Sequence, residues 1–260
     1  LRKMAAGGIY DHLGGGFHRY SVDGQWLIPH FEKMLYDNAQ LVRIYLDGWR
    51  LTKEARFRQV VEETLEWIRR ELAHTDGAFF AAQDADSEGE EGRFFVWDQA
   101  EVLAVLGQEL GEMFCRAYGV TDGGNFEGKT VLNRLGDTGS SAEAQEQLEA
   151  TLRPARKKLL AAREQRVKPQ RDENILTSWN ALAVSAFLDA YQTFGTPWYL
   201  SSAEQALTFL IDYAITDGRV SRTVAGGSGR IAGYLDDYAY LAAALLDAFE
   251  TTSHSWYLEQ

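Results

Sequence analysis

An internal repeat constrains the fold of this chain more than any other feature of its sequence. Two stretches 58 residues apart, starting at Leu188 and Leu246, both open with Leu-Asp-Ala and close with Trp-Tyr-Leu. A weaker copy starts at Leu46. A repeat of this length is typical of one supersecondary unit that buries its apolar face against its neighbours. The chain is therefore predicted to be an array of similar units.

Each repeated stretch has the pattern of a helix pair. The segments 32–52, 174–195 and 233–253 are predicted to be apolar helices, and 174–195 is apolar on nearly all sides, as a buried helix is. The segments 54–73 and 198–216 that follow two of them have a polar face. An array in which buried helices alternate with amphipathic ones predicts an inner and an outer ring of helices.

The connections between these helices are of two kinds. Turns from an apolar helix to an amphipathic one are short, whereas four connections in the opposite direction are long: residues 14–31, 76–97, 167–173 and 217–233. The sequence predicts an all-α (α/α) toroid of helical hairpins, with the long loops on one rim above the starts of the inner helices. Strand patterns inside these loops predict short inserted β-hairpins at residues 78–83, 93–97 and 218–224.

Composition limits the partners of the chain. A formal charge of −12 disfavours nucleic acid and anionic membranes, which require basic patches. The single cysteine, Cys115, excludes an internal disulfide and indicates a reducing compartment, so a cytoplasmic location is expected. With 260 residues and 45% apolar content the chain can bury one large core, and residues 1–260 are predicted to form a single domain.

Four motifs carry a resemblance to a known family: "GGIYDHLGGGFHRYSVDGQWLIPHFEKMLYDNAQL", "AQDADSEGEEGRFFVW", "GNFEGKTVLN" and "ILTSWNALAV". They resemble the helical region of thioredoxin-domain-containing proteins of the spermatogenesis-associated protein 20 type. The resemblance implies a six-hairpin toroid similar to N-acylglucosamine 2-epimerases and several glycosidases. It also implies a covalently linked thioredoxin-like domain ahead of this region. Since the chain starts at Leu1, we expect a fragment that lacks this domain and is incomplete at both ends.

Histidines and carboxylates of the long loops are the candidate acid–base groups. They are His18, His30, Asp37, Asp84 and Asp237. Epimerisation needs an acid and a base on opposite faces of a carbon, for which His18 and His30 are the candidates. Glycosidic cleavage needs two carboxylates, which would come from the aspartates, Asp86 included.

His30 is the titratable side chain predicted to matter most. It directly precedes the predicted inner helix, whose positive end would keep the imidazole neutral near pH 7. On the same helix, Glu32 with Tyr36 and Lys33 with Asp37 would share faces four residues apart. The alternative is a packed rim in which His30 caps the helix and Lys33 forms a plain surface pair.

A larger set of polar and aromatic side chains in the same regions is predicted to bind a sugar, because aromatic faces suit C–H surfaces and amides suit hydroxyls. The set is Arg19, Tyr20, Trp26, Glu32, Lys33, Tyr36, Gln83, Asp86, Trp179, Asn180, Tyr234, Asp236 and Tyr238. Three alternatives stay open. Trp179 suits an ordinary core position, the acids 236–237 suit a helix cap, and Glu90 with Glu91 suits a solvated hairpin tip.

The sequence therefore predicts a carbohydrate-active or carbohydrate-binding toroid with a small, sugar-like ligand. If it is catalytic, the chemistry is that of a sugar epimerase, an isomerase or a glycoside hydrolase. The alternative is a non-catalytic module that binds a ligand or client for the thioredoxin-like redox domain. No cofactor and no tightly bound transition metal are expected, since no Cys/His cluster has ligand spacing. The alternating acids at residues 84–88 leave weak calcium binding open.

Overall fold

The computed structural model describes residues 1–136 and 142–260. Within these ranges lie nine α-helices: α1 Arg2–Ala6, α2 Leu35–Thr52, α3 Ala55–Trp67, α4 Gln99–Leu106, α5 Gln108–Ala117, α6 Ala142–Arg163, α7 Thr177–Phe194, α8 Pro197–Ala214 and α9 Leu235–Thr252. Short strands lie between them: β1 Tyr20–Ser21, β2 Pro29–His30, β3 Lys33–Met34, β4 Ala82–Gln83, β5 Asp86–Ser87, β6 Glu90–Glu91, β7 Arg171–Asp172, β8 Ile175–Leu176, β9 Ile215–Thr216, β10 Arg219–Val220, β11 Thr223–Ala225 and β12 Ser228–Gly229.

The chain divides into two compact units. Unit 1 comprises residues 1–32 and 84–170, and unit 2 comprises residues 33–83 and 171–260. Within the described ranges, no helix combines the length and the apolar character that crossing a membrane requires.

Unit 2 contains the three helices α2, α7 and α9, here called the repeat helices. Each has 18 residues, and their starts are separated by the spacing of the sequence repeat. Each ends at a residue in the left-handed conformation, namely Lys53, Gly195 and Ser253 with φ of 60°, 68° and 60°. The N–H of that residue bonds to the carbonyl four residues earlier, which closes the helix. The predicted repeat of helix, short turn and second element is confirmed.

The repeat helices α2 and α7 run parallel. At their starts the rings of Tyr36 and Trp179 are 4.7 Å apart between centroids. At their ends Arg50 Nη2 donates to Thr193 Oγ1 at 2.7 Å. Both contacts join residues 143 positions apart in the chain. Because the contacting residues are separated by the same number of positions at both ends, the two helices run in the same direction.

The next pair, α7 and α9, is arranged in the same way. Near their starts the N–H of Ser178 donates to Asp237 Oδ1 at 3.1 Å. Near their ends Gln192 Nε2 donates to Thr251 Oγ1 at 2.6 Å. Both contacts span 59 positions. All three repeat helices therefore begin at the same end of unit 2.

Short sheets of unit 2 lie where the repeat helices begin. In one sheet β4 pairs antiparallel with β3 and β7, and in another β11 pairs with β8 and β12. Strand β3 leads directly into α2, and β8 leads directly into α7. The predicted hairpin at residues 218–224 is confirmed, since β10 pairs with β9 and β11 with β12.

The other strand predictions are only partly confirmed. Of residues 78–83, Ala82 and Gln83 form strand β4. This strand pairs with β3 and β7, so it is not part of a local hairpin. The predicted strand at residues 93–97 is wrong. The carbonyl of Gly92 accepts the N–H groups of Phe95 and Val96, so this aromatic run folds into a turn.

Unit 1 is built on α4, α5 and α6. Buried apolar side chains of these helices and of the residues next to them form one core: Trp97, Val102, Leu106, Phe114, Tyr118, Leu152, Ala155 and Leu159. At the end of α6, Arg163 donates to both carboxylate oxygens of Asp11 at 2.8 and 2.9 Å. Both side chains of this ion pair are buried.

Candidate functional site

An aromatic pair marks the place where α2 and α7 begin. The rings of Tyr36 and Trp179 are inclined at 53° and are both half-buried. They pack against a small apolar cluster that contains Met34, Ala81 and Ala82. This cluster therefore holds the two rings in place, while part of each ring stays accessible to a ligand.

Helix α2 begins three residues later than the sequence pattern predicts. Glu32 precedes the helix, and Lys33 lies in β3, paired in register with Gln83. The prediction that Glu32 and Lys33 share helical faces with Tyr36 and Asp37 is wrong, because sheet pairing keeps this segment extended. The side chain of Lys33 is fully buried, with Nζ 5.2 Å from the ring centroid of Trp67. Asp37 lies in the first turn of α2 and is half-buried.

Two of the predicted amide ligands form hydrogen bonds inside unit 2. Asn180 is fully buried, and its Oδ1 accepts the N–H of Phe79 at 2.7 Å. Its Nδ2 donates to the carbonyls of Phe79 and Leu176 at 2.9 and 3.0 Å. Gln83 is also buried and accepts from Trp67 Nε1 at 3.4 Å. These contacts fix the loop that leads into β4. They thereby hold in place Ala81 and Ala82, which pack against the aromatic pair.

Asp237 caps the start of α9. Its side chain is fully buried, and Oδ2 accepts the N–H of Tyr234 at 2.9 Å. Its Oδ1 accepts the N–H of Ser178, and Arg222 Nη1 lies 3.5 Å from Oδ2. Asp237 therefore has the geometry of a helix cap, which is the alternative that the sequence leaves open for the acids 236–237.

The other candidates on α9 are accessible. Tyr234 is exposed, and the guanidinium of Arg222 lies 4.9 Å from its ring centroid. Asp236 is exposed at 3.7 Å from the same guanidinium. Tyr238 is exposed, and its hydroxyl accepts the N–H of Val220 at 3.0 Å. Polar and aromatic groups therefore surround the start of α9 as they do that of α7.

In unit 1 five side chains form what we call the His30 cluster: Arg19, Tyr20, His30, Glu32 and Glu91. Tyr20 and His30 face each other across β1 and β2, and their rings stack with centroids 4.9 Å apart. Glu91 Oε1 lies 2.7 Å from His30 Nδ1, and Glu32 Oε2 lies 3.6 Å from His30 Nε2. Arg19 Nη1 donates to Glu32 at 2.9 Å. The cluster holds an acid–base side chain between two carboxylates.

The predicted reason for the importance of His30 is wrong. His30 lies in β2, and α2 begins only at Leu35, so the imidazole is not a helix-terminal residue. Pairing between β1 and β2 keeps this segment extended. The groups that orient His30 are the carboxylates and the Tyr20 ring.

The second candidate histidine, His18, lies in the core of unit 1. It is 3% exposed, its Nδ1 is 2.8 Å from the carbonyl oxygen of Phe31, and its ring packs edge-on against Phe31 and Phe95. Trp26 is partly exposed at the turn between β1 and β2, with φ of 66°.

Asp23 organises that same turn. Its carboxylate accepts the N–H groups of Gln25 at 2.6 Å, Leu27 at 3.3 Å and Ile28 at 2.6 Å. Burial raises the pKa of the Asp23 carboxyl, but the backbone hydrogen bonds outweigh it, so the pKa lies below its ordinary value.

The acids of the second long connection, residues 76–97, are exposed. Asp84 accepts the N–H of Ala85 at 2.6 Å, and Asp86 lies in β5 opposite Glu91 in β6. Arg93 lies 3.2 Å from Glu88 and 2.9 Å from Glu90. Among the described residues, no group of three or more His, Cys, Asp or Glu side chains is placed to hold a metal ion.

Two residues of these clusters were missed by sequence reasoning. The sequence predicts Glu91 to lie in a solvated hairpin tip, and no motif marks Arg222. The contact between Glu91 and His30 spans 61 positions, and no local pattern encodes it. Arg222 lies within the predicted strand segment 218–224, between β10 and β11, where an isolated arginine carries no signal of its own.

No family model matches the chain. It is 35% identical over 298 aligned residues to spermatogenesis-associated protein 20 of Rattus norvegicus. That alignment covers all of this chain but only 38% of the relative, so the chain spans well under half of the curated protein that it matches. The resemblance seen in the motifs is confirmed over the whole chain.

Solved structures with the same fold act on sugars. A sugar epimerase from a ruminal bacterium is similar with a TM-score of 0.58 and 10% identity, over 96% of this chain and 47% of that one. A family 76 glycoside hydrolase from a bovine Bacteroides thetaiotaomicron strain is similar with a TM-score of 0.50 and 11% identity, over 95% and 36% respectively. The predicted fold class, an (α/α) toroid of the six-hairpin glycosidase type, is confirmed.

Proposed function

We propose that this homologue of spermatogenesis-associated protein 20 is a carbohydrate-binding toroid whose ligand is a small, uncharged sugar. The observation that carries the proposal is the half-buried Tyr36–Trp179 pair at the end of unit 2 where the three repeat helices begin. The fold supports the proposal, since it is shared with a sugar epimerase and a glycoside hydrolase.

The chemistry of this end of unit 2 suits a polyhydroxyl ligand. The accessible parts of the two rings offer apolar faces to the C–H surface of a sugar. Asp37 follows Tyr36 in α2, and Asp236 and Tyr238 are exposed in the first turn of α9. Carboxylates accept from hydroxyl groups, and a phenol both donates and accepts. These groups supply apolar stacking together with several directed hydrogen bonds.

In unit 1 the acid–base candidate is His30. It is the histidine of the His30 cluster, and its side chain is 27% exposed. Imidazole is the side chain that most often serves as a general acid or base, and here a carboxylate fixes its orientation. If the protein is catalytic, we expect proton transfer of the epimerase or isomerase type, with Asp84 of the same unit as a further candidate.

Sugar binding at the aromatic pair is tested with Trp179→Leu and a matched control, Trp49→Leu. Trp49 is also a half-buried partner in an aromatic pair between α2 and α7, with its ring 5.0 Å from that of Phe194, but it lies at the other end of the helices. The probes are D-glucose, D-mannose, N-acetyl-D-glucosamine and cellobiose, each titrated while the melting temperature is followed.

A sugar at 100 times its Kd should stabilise the wild-type protein by about 2.7 kcal/mol. We expect Trp179→Leu to abolish this stabilisation and Trp49→Leu to keep it. Equal losses in both variants, or no stabilisation of the wild type by any of the four sugars, would contradict the proposal.

The second candidate function is non-catalytic binding of a ligand or client on behalf of a thioredoxin-like domain. It is favoured by the burial of His18 and Asp237, whose side chains are hydrogen-bonded to backbone groups. Proton NMR of the anomeric signals separates the two functions. Conversion of a bound sugar by the wild type, and its loss in His30→Asn, supports catalysis. Binding without conversion supports the non-catalytic function.

A further inference from the structure

Of three acids in the β5–β6 hairpin, two share one partner and the third has another. Glu88 and Glu90 lie at 3.2 and 2.9 Å from Arg93. Glu91, next to Glu90, lies instead at 2.7 Å from His30 Nδ1. Its Oε1 also accepts the N–H of Phe31 at 3.3 Å. Of these three carboxylates, that of Glu91 is therefore the one that contacts His30 Nδ1.

This contact decides which nitrogen of the neutral ring carries the proton. An ionised carboxylate can only accept a hydrogen bond, so His30 Nδ1 must be the donor. The lone pair of the neutral imidazole is then on Nε2. Nε2 lies 3.6 Å from Glu32 Oε2, beyond hydrogen-bond distance, and Glu32 is already bonded to Arg19 at 2.9 Å.

We propose that Glu91 is a positioning residue that holds His30 as the Nδ1–H tautomer, so that Nε2 is the ring nitrogen that can take up a proton from a substrate. As a base, Nε2 forms the new N–H bond while the substrate's bond to that hydrogen breaks and leaves its electron pair on the substrate. The resulting imidazolium faces the carboxylate of Glu91, which keeps its charge. The role in catalysis rests on the proposed function, whereas the tautomer does not.

Packing around the hairpin supports a positioning role. Gly92, directly after Glu91, has φ of 75°, and a Cβ at this position would lie 2.5 Å from the ring of Phe31. Its N–H bonds to the carbonyl of Ala85, which closes the hairpin. Because Phe31 follows His30 in the chain, this close approach fixes the carboxylate relative to the imidazole. The Tyr20 ring stacks on His30 and restricts its rotation.

The experiment is nitrogen-15 NMR of the histidine side chains in the intact chain, with the His30 signals assigned by their loss in His30→Asn. Three variants are compared with the wild type. Glu91→Ala removes the acceptor, and Glu91→Gln keeps an amide oxygen that can accept from Nδ1–H. Glu90→Ala is the matched control, one residue away on the same strand and paired with Arg93.

We expect the neutral His30 ring to be protonated on Nδ1 in the wild type, in Glu90→Ala and in Glu91→Gln. In Glu91→Ala the proton should move to Nε2. An Nε2–H ring in the wild type overturns the proposal, and so does an unchanged tautomer in Glu91→Ala. If Glu91→Ala does not fold, the tautomer of the wild type alone still decides.

The proposed function and this proposal fail in different ways. An Nδ1–H tautomer in a protein that neither binds nor converts any of the four sugars refutes the function and leaves Glu91 as the group that orients His30. Where a sugar is converted, we expect Glu91→Ala to lower kcat by up to about 10²–10⁴-fold with KM unchanged. Unchanged kcat in Glu91→Ala refutes the positioning role and leaves the function intact.

Discussion

Ser178 and Asp237 join the first turns of two neighbouring repeat helices through one hydrogen bond, 3.1 Å from the backbone N–H of Ser178 to Oδ1 of Asp237. The other oxygen of the same carboxylate accepts the N–H of Tyr234 at the start of α9. One buried side chain thus satisfies N–H groups at the ends of two helices, which would otherwise lack partners. This residue, predicted from the sequence as a catalytic acid, holds the helices in place.

Asp237→Ala should lower the free energy of unfolding by about 1–3 kcal/mol, because it leaves buried N–H groups without an acceptor. The matched control is Asp236→Ala, since that neighbouring carboxylate is exposed and should change stability by less than about 0.5 kcal/mol. Urea unfolding monitored by circular dichroism measures both. Equal stability of the two variants would show that Asp237 is no structural cap.

Tyr199 should make the protein sensitive to alkali. Burial raises the pKa of its phenol to about 12 from 10.0, and the charge of Glu62 adds to the shift. Because the folded state favours the neutral phenol, its contribution to stability is complete below pH 10 and is lost as the pH rises towards 12. Tyr199→Phe should therefore reduce the loss of stability over this range. Unfolding followed between pH 9 and pH 12 tests this, with the exposed Tyr240→Phe as the control.

Asp23 should contribute in the opposite pH range. Its pKa in the folded state lies below 3.8, so its stabilisation is present above that value and is lost as the pH falls through the folded pKa. Asp23→Asn should be less stable than the wild type by about 1 kcal/mol at pH 7, and the difference should shrink in acid. Urea unfolding at pH 7 and near pH 3 measures it. A difference independent of pH would contradict the assignment.

The repeat predicted the helices of unit 2 because it is a regular, local signal. Residues 32–52, 174–195 and 233–253 contain α2, α7 and α9, and each ends in a short turn at the expected place. No helix is predicted at α4 or α5, which lie outside the repeat. The start of α4 has a signal that could have been used, because Asp98 and Glu101 form a capping box.

The local geometry of the candidate site was less predictable, because it depends on contacts between distant residues. Lys33 and His30 are extended through strand pairing, although the apolar pattern nearby favours a helix. The partner of His30 is set by the register of a hairpin some 60 residues later in the chain. The aromatic pair forms only if α2 and α7 begin at the same height along their axes. A sequence repeat alone predicts this alignment only roughly.

The constant separation of contacts along the repeat helices has a consequence for how the sequence can vary. Helix α7 contacts both α2 and α9 near its start and near its end. Inserting one residue into α7 would rotate the part of the helix after the insertion by about 100° relative to the part before it. Four cross-helix contacts could not then be made together. Homologous chains should therefore differ in length within their connections, while these helices keep their 18 residues through long divergence.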